Sequence, residues 1–137
     1  MPEDQRPPRG LLDTSVIIDL EQIEATALPQ EVAISTMTLA ELAAGPHAAT
    51  SPDERGRRQD RLQRTEAVFD PLPFDADAAR AYGRIFSAVS TAQRKPRGAR
   101  AVDLMIASTA LAAELPLYTR NPSDFEGLHD LIDVVTV

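Results

Sequence analysis

Short strand-like runs alternate with helix-length segments, and that alternation leaves few architectures open. A run ending in Leu11-Leu12, then Val32-Ala33-Ile34-Ser35, Leu117-Tyr118-Thr119 and Asp133 to Val137 have strand length and composition. Asp13-Thr14-Ser15 is a turn leading into a short helix at Val16-Ile17-Ile18. After Thr38, Leu39 to Ala44 is helical and is closed by Gly45-Pro46. Ser51 to Val68 is a polar, arginine-rich helix, and Phe69 to Phe74, with two prolines, is a short extended piece. Asp75 caps a helix running to about Ser90, and a last helix runs from about Ala101 to Glu114, ended by Pro116. No repeat is visible. The order predicts an α/β fold, a parallel sheet with helices on both faces.

The chain has 137 residues, which suits one domain. Pro2, Pro7 and Pro8 keep residues 1–9 out of regular ladders, so they read as a flexible leader before a single domain over 10–137. With no cysteine, disulfide scaffolds, thiolate metal sites and cysteine nucleophiles are excluded, and the cytoplasm is a compatible location. His47 and His129 are the only histidines, too few for a multi-histidine zinc site, and His47 reads as a surface loop residue. The N-terminus lacks the apolar stretch of a secretory signal. The apolar run Leu104 to Ala113 is half the ~20 residues of a membrane span, so no membrane association is expected.

Four acids fall beside strands: Asp13 after the first, Glu41 in the helix after the second, Asp103 opening the last helix, and Asp124 in the turn after the third. In a parallel α/β sheet the segments beyond the strand C-termini converge on one edge, where ligands bind. Each acid also has a plain structural explanation. Thr38 and Glu41 have capping-box spacing, Asp13 suits an N-cap, Asp103 suits a first helical turn, and Asp124 an Asx turn. Against these, Asp13 and Asp103 have apolar neighbours, and acids there are rarely buried without a partner. Arg100 and Arg120 are the few cations nearby. Carboxylates without histidine or cysteine select a hard ion, Mg²⁺ or alternatively Mn²⁺. Such an ion activates water and stabilises both oxygens of a phosphoryl displacement, which points to phosphodiester hydrolysis.

Leu11-Leu12-Asp13-Thr14-Ser15, Glu41-Leu42-Ala43-Ala44-Gly45, Asp103-Leu104-Met105-Ile106-Ala107-Ser108-Thr109-Ala110 and Leu117 to Phe125 together resemble the PIN-domain family, most closely the VapC-type toxins of bacterial toxin–antitoxin pairs. The resemblance spans about Leu11 to Val137 and rests on four motifs in order. It implies a three-layer α/β/α sandwich around a mostly parallel sheet, and Mg²⁺-dependent endoribonuclease activity. Carried over, Asp13, Glu41, Asp103 and Asp124 match the acidic quartet, with Asp13 and Asp103 as principal metal ligands. Thr14 or Ser15 would orient Asp13 or a bound water, and Arg120 and Asn121 would flank the site. Either Asn121 or Asp124 could make the closer metal approach; an ionised oxygen ranks Asp124 first. The resemblance also implies a homodimer and a cognate VapB-like antitoxin that blocks the site.

RNA needs local positive charge. From Ala76 to Val102 six basic residues face Asp77 alone, and Arg94, Lys95, Arg97 and Arg100 lead directly into Asp103, so these four are the expected RNA contacts. A second group, Arg55, Arg57, Arg58, Arg61 and Arg64, is offset by four acids and reads as a solvated helix face. The competing reading of the whole chain is a non-catalytic module whose acidic groove binds an arginine-bearing partner. A phospho-receiver does not fit, because Asp13-Thr14-Ser15 lacks a second aspartate and Lys95 is the only lysine.

Overall fold

The computed structural model describes residues 5–91 and 99–137. Its sheet holds β1 (Arg9–Leu12), β2 (Glu31–Ala33), β3 (Leu117–Thr119) and β4 (Val134–Thr136) in the order β2-β1-β3-β4, every pairing parallel. The helices are α1 (Thr14–Ile18), α2 (Thr36–Ala48), α3 (Pro52–Val68), α4 (Ala76–Thr91) and α5 (Ala99–Ala113). Successive strand residues face opposite sides. Leu11 and Leu117 therefore pack with Ile85, Val89, Leu104 and Ala107 of α4 and α5, whereas Leu12 and Tyr118 pack with Val16, Ile17, Ile34 and Leu42 on the other face. The expected three-layer α/β/α sandwich is the fold observed. No described helix is long and apolar enough to cross a membrane.

Two elements depart from the sequence expectation. α2 does not stop at Gly45-Pro46 but continues through both to Ala48. The carbonyls at its end find donors on α3: Arg58 Nη1 donates to Gly45 O at 2.9 Å and Arg55 Nε to Pro46 O at 3.4 Å. Those bonds satisfy groups that a helix end otherwise leaves open. β2 ends earlier than expected because Ser35 turns to cap α2, its Oγ accepting from the Thr38 amide at 3.1 Å. The polar helix α3 is a solvated face as expected. Glu54 pairs with Arg57 at 2.6 Å and Arg58 at 2.9 Å, and these two guanidinium groups hold its carboxyl below the usual carboxylate range.

The described part of the N-terminal segment is bound to the domain. Pro7 O and Pro8 O accept from the Gln30 and Glu31 amides, each at 2.9 Å, and Arg6 Nη1 donates to Ala25 O at 3.1 Å. The prolines donate nothing, so this segment joins β2 through its carbonyls alone.

Gly10 in β1 lies against the ring of Tyr118, which is buried. A Cβ there would meet Tyr118 Cε1 at 2.5 Å and Cδ1 at 2.8 Å. The ring is buried and Pro29 Cγ would lie 3.0 Å from the same Cβ, so Gly10→Ala is expected to destabilise by about 2 kcal/mol through overpacking. A urea melt showing the wild-type midpoint would contradict this account of the β1–β3 seam.

Candidate active site

The strand order places the switch point between β1 and β3, where the chain leaves toward β2 on one side and β4 on the other. In an open parallel sheet ligands bind at such a point, beyond the carboxyl ends of the strands. Asp13 immediately follows β1, and Asp124 lies in the 3-10 turn Pro122–Phe125 after β3. Glu41 lies in α2, which follows β2, and Asp103 near the start of α5, the helix leading into β3.

Asp13 is buried and caps α1, so its helix-capping role is real. Its Oδ1 accepts from the Ser15 amide and its Oδ2 accepts from Thr119 Oγ1 at 2.5 Å. Glu41 does not form the capping box that its spacing from Thr38 allowed, since Ser35 holds the cap. Its Oε1 accepts instead from Thr14 Oγ1 at 2.5 Å, and Thr14 Oγ1 also lies 3.1 Å from Thr38 Oγ1. Thr14 thus orients Glu41, whereas Ser15 touches Asp13 only through its main chain.

The Ser15 hydroxyl builds the turn after β3, accepting from the Arg120 amide at 3.0 Å. Asn121 donates its own amide to Thr119 Oγ1 at 2.9 Å. The Arg120 guanidinium pairs with Asp19 at 3.1 Å, so its charge is committed to the end of α1. Arg94, Lys95 and Arg97 lie outside the described residues. Arg100 is partly buried and donates to the main-chain oxygen of Asp124 at 3.2 Å. Arg80 pairs with Asp77, and Arg84 lines a cavity of about 440 Å³ with Pro116 and Asp133, at the opposite edge of the sheet. His47 is exposed in the last turn of α2.

Asp103 connects the four acids. Its carboxyl is pushed up to about 7, first by burial and then by the negative charges of Asp124, Glu41 and Asp13, with Arg100 opposing. Residues from four separate stretches therefore share one electrostatic site. Among the described residues no three histidine, cysteine, aspartate or glutamate side chains stand close enough, as placed, to hold a metal ion. Two of the four acids are held by threonine hydroxyls. The donor set, oxygen alone with carboxylates in excess, fits a hard divalent ion.

Residues 10–128 match the PIN domain family. This chain belongs to the PIN-domain family. The PIN domain is 38% identical over 125 residues to ribonuclease VapC5 of Mycobacterium tuberculosis, covering 89% of each chain. It is 30% identical over 131 residues to ribonuclease VapC of Rickettsia bellii, covering 93% of this chain and 95% of that one. Among solved structures, VapBC-5 from Mycobacterium tuberculosis, of the VapBC family of toxin–antitoxin systems, superposes with a TM-score of 0.82 at 36% identity, covering 96% of this chain and 98% of that chain.

Thr119 is the site residue the sequence did not single out. In the sequence it is one more β-branched strand residue; only the β1–β3 pairing brings it onto Asp13. Removing the hydroxyl with Thr119→Val is expected to slow cleavage about 10–100-fold, the usual scale for a group orienting a ligand. Thr119→Ser is expected to keep most of the rate, and equal rates for the two variants would argue against this role.

Proposed function

We propose that this PIN domain is a divalent-metal-dependent endoribonuclease, the toxin of a type II toxin–antitoxin pair. The observation that carries the reading is the convergence of Asp13, Glu41 and Asp124 on Asp103. Its relatives named ribonuclease VapC, and the VapBC-5 complex it superposes on, support the toxin reading. Asp13, Glu41, Asp103 and Asp124 would hold the ion, Mg²⁺ first and Mn²⁺ as alternative, with Asp13 and Asp103 as principal ligands. When bound, it lowers the pKa of a coordinated water and offsets charge developing on the phosphoryl oxygens.

The protein's own groups set the geometry. Thr119 and the Ser15 amide fix both oxygens of Asp13, and Thr14 fixes Glu41, so these carboxylates do not reorient when substrate arrives. Asp103 holds a proton on its carboxyl near neutrality and gives it up once its neighbours' charge is offset. Asp124 would be the fourth ligand, preferred over Asn121 because a carboxylate oxygen suits a hard ion better than an amide oxygen. Arg120 and Asn121 shape the turn beside it. Further parts of this reading are a cytoplasmic location, a homodimer, and a VapB-like antitoxin whose arginine would relieve the same repulsion among the acids.

The test is cleavage of total cellular RNA by the purified chain with Mg²⁺ or with EDTA, beside Asp103→Asn. Discrete products that need both the ion and Asp103 are expected. No cleavage by the folded wild type would favour a non-catalytic module that binds an arginine-bearing partner in this groove.

A further inference from the structure

We propose that Arg100 is the oxyanion receptor of this site, the Nε–Nη2 edge of its guanidinium taking a phosphate group of the RNA beside the acids. This rests on the ribonuclease reading above. Arg100 stands in the first turn of α5, three residues before Asp103, so the two side chains leave neighbouring positions on one helix face. Nη1 is anchored on the Asp124 main-chain oxygen. Nε and Nη2 are shut off from solvent and have no partner, and among the described residues no other buried side-chain nitrogen or oxygen is left in that condition.

An unmade buried hydrogen bond is costly, and more so for a charged group. Two on one side chain are a large standing cost for so small a domain. Both lie on the same edge. Nε–H and one Nη2–H run parallel, spaced to meet two oxygens of a phosphate or carboxylate at once. The edge is therefore a two-oxygen receptor without its anion.

Charge selects the phosphate. Arg57 and Arg58 are paired with Glu54, Arg80 with Asp77, and Arg120 with Asp19, whereas Arg100 has no ion pair among the described residues. A polyanion entering a cleft of four acids needs a fixed cation at the reaction edge, and Arg100 already acts on the charge of Asp103. Its stem rises from the helix of Asp103, and its Nη1 grips the turn of Asp124. A phosphate on the unpartnered edge is thereby registered against two of the acids. The residue as a whole is only partly buried, so its side chain reaches the surface over part of its length.

The test compares wild type, Arg100→Lys and Arg100→Ala. Binding of a labelled, mixed-sequence single-stranded RNA in EDTA is followed by fluorescence anisotropy from about 50 to 200 mM salt, alongside cleavage in Mg²⁺ and melting temperature. Lysine keeps the charge and loses the fork, so Arg100→Lys is expected to bind and cleave about tenfold less well. Arg100→Ala is expected to lose at least as much, and its slope of log affinity against log salt to shrink by about 0.7. If the alanine variant does not fold, the lysine variant carries the test. Wild-type RNA affinity and cleavage in Arg100→Lys would overturn the proposal. So would unchanged RNA binding with an altered metal-free melting temperature, which would assign the edge to one of the protein's own carboxylates. Failure of the nuclease reading looks different: the wild type itself does not cleave, while RNA affinity in EDTA still depends on Arg100.

Discussion

Asp103→Asn is expected to melt above the wild type at pH 8 in EDTA, while cleaving RNA at least about a hundredfold more slowly in Mg²⁺. The two effects have one cause. The Asp103 carboxyl is raised from 3.8 to about 7 in the fold, by burial and by three neighbouring acids. The unfolded chain, lacking those neighbours, ionises near the ordinary value. Between about pH 4 and 7 the folded state keeps a proton that the unfolded state has lost, so stability falls as pH rises through that window. Above pH 7 the folded state carries the whole penalty. Because the group is only partly buried, screening reduces that penalty to roughly 2 kcal/mol. Asparagine keeps the size and removes the charge, so the variant escapes the penalty, a gain of roughly 5–10 °C at pH 8 that vanishes near pH 4. A variant more stable and less active is the signature of a strained functional site. Thermal melts at pH 4.5, 6 and 8 test the sign; a variant less stable than the wild type at pH 8 would mean that the charge on Asp103 is satisfied within the fold.

The fold was readable because its elements are local. Four apolar runs and their intervening helices carry period and punctuation in the chain itself, and the alternation of Leu11 with Leu12 already implies two covered faces. Where reading failed, a distant residue intervened. Gly45-Pro46 is a stop signal by local rules, but Arg55 and Arg58, on the next helix, supply donors that let α2 pass through it. Thr38 and Glu41 have capping spacing, but Ser35 takes the cap and leaves Glu41 to Thr14. The acids were legible as types at strand ends, because the topology of a parallel sheet gathers such positions. The hydroxyls that orient them were not, since Thr119 meets Asp13 across 106 positions. The basic run likewise looked continuous in sequence, whereas helix geometry sends Arg84 to the far edge and turns Arg100 inward beside the acids.

Magnesium is expected to raise the melting temperature of the wild type by roughly 10 °C and to shift Asp13→Asn only slightly. A ligand that binds only the folded state stabilises by RT ln(1 + [L]/Kd), about 2.7 kcal/mol at a hundred times Kd. For a domain of this length that is a shift of roughly 10 °C. Relief of the repulsion that raises Asp103 is part of that binding free energy, so the shift is largest above pH 7, where the ion has no proton to displace. Asp13→Asn is a fair control because it can fold. The asparagine oxygen still accepts from the Ser15 amide, and its amino group can donate to Thr119 Oγ1, whose own proton can turn toward Ser15 Oγ, 3.5 Å away. What the variant lacks is a charge and a ligand. It removes one of the acids raising Asp103, so its metal-free melting temperature should start above that of the wild type, and the gap should close as Mg²⁺ is added. Below pH 6 the wild-type shift should shrink, because the ion must displace a proton from Asp103. Equal magnesium shifts in the two proteins, with matched ionic strength, would place the ion away from Asp13 and undo the quartet as a metal site.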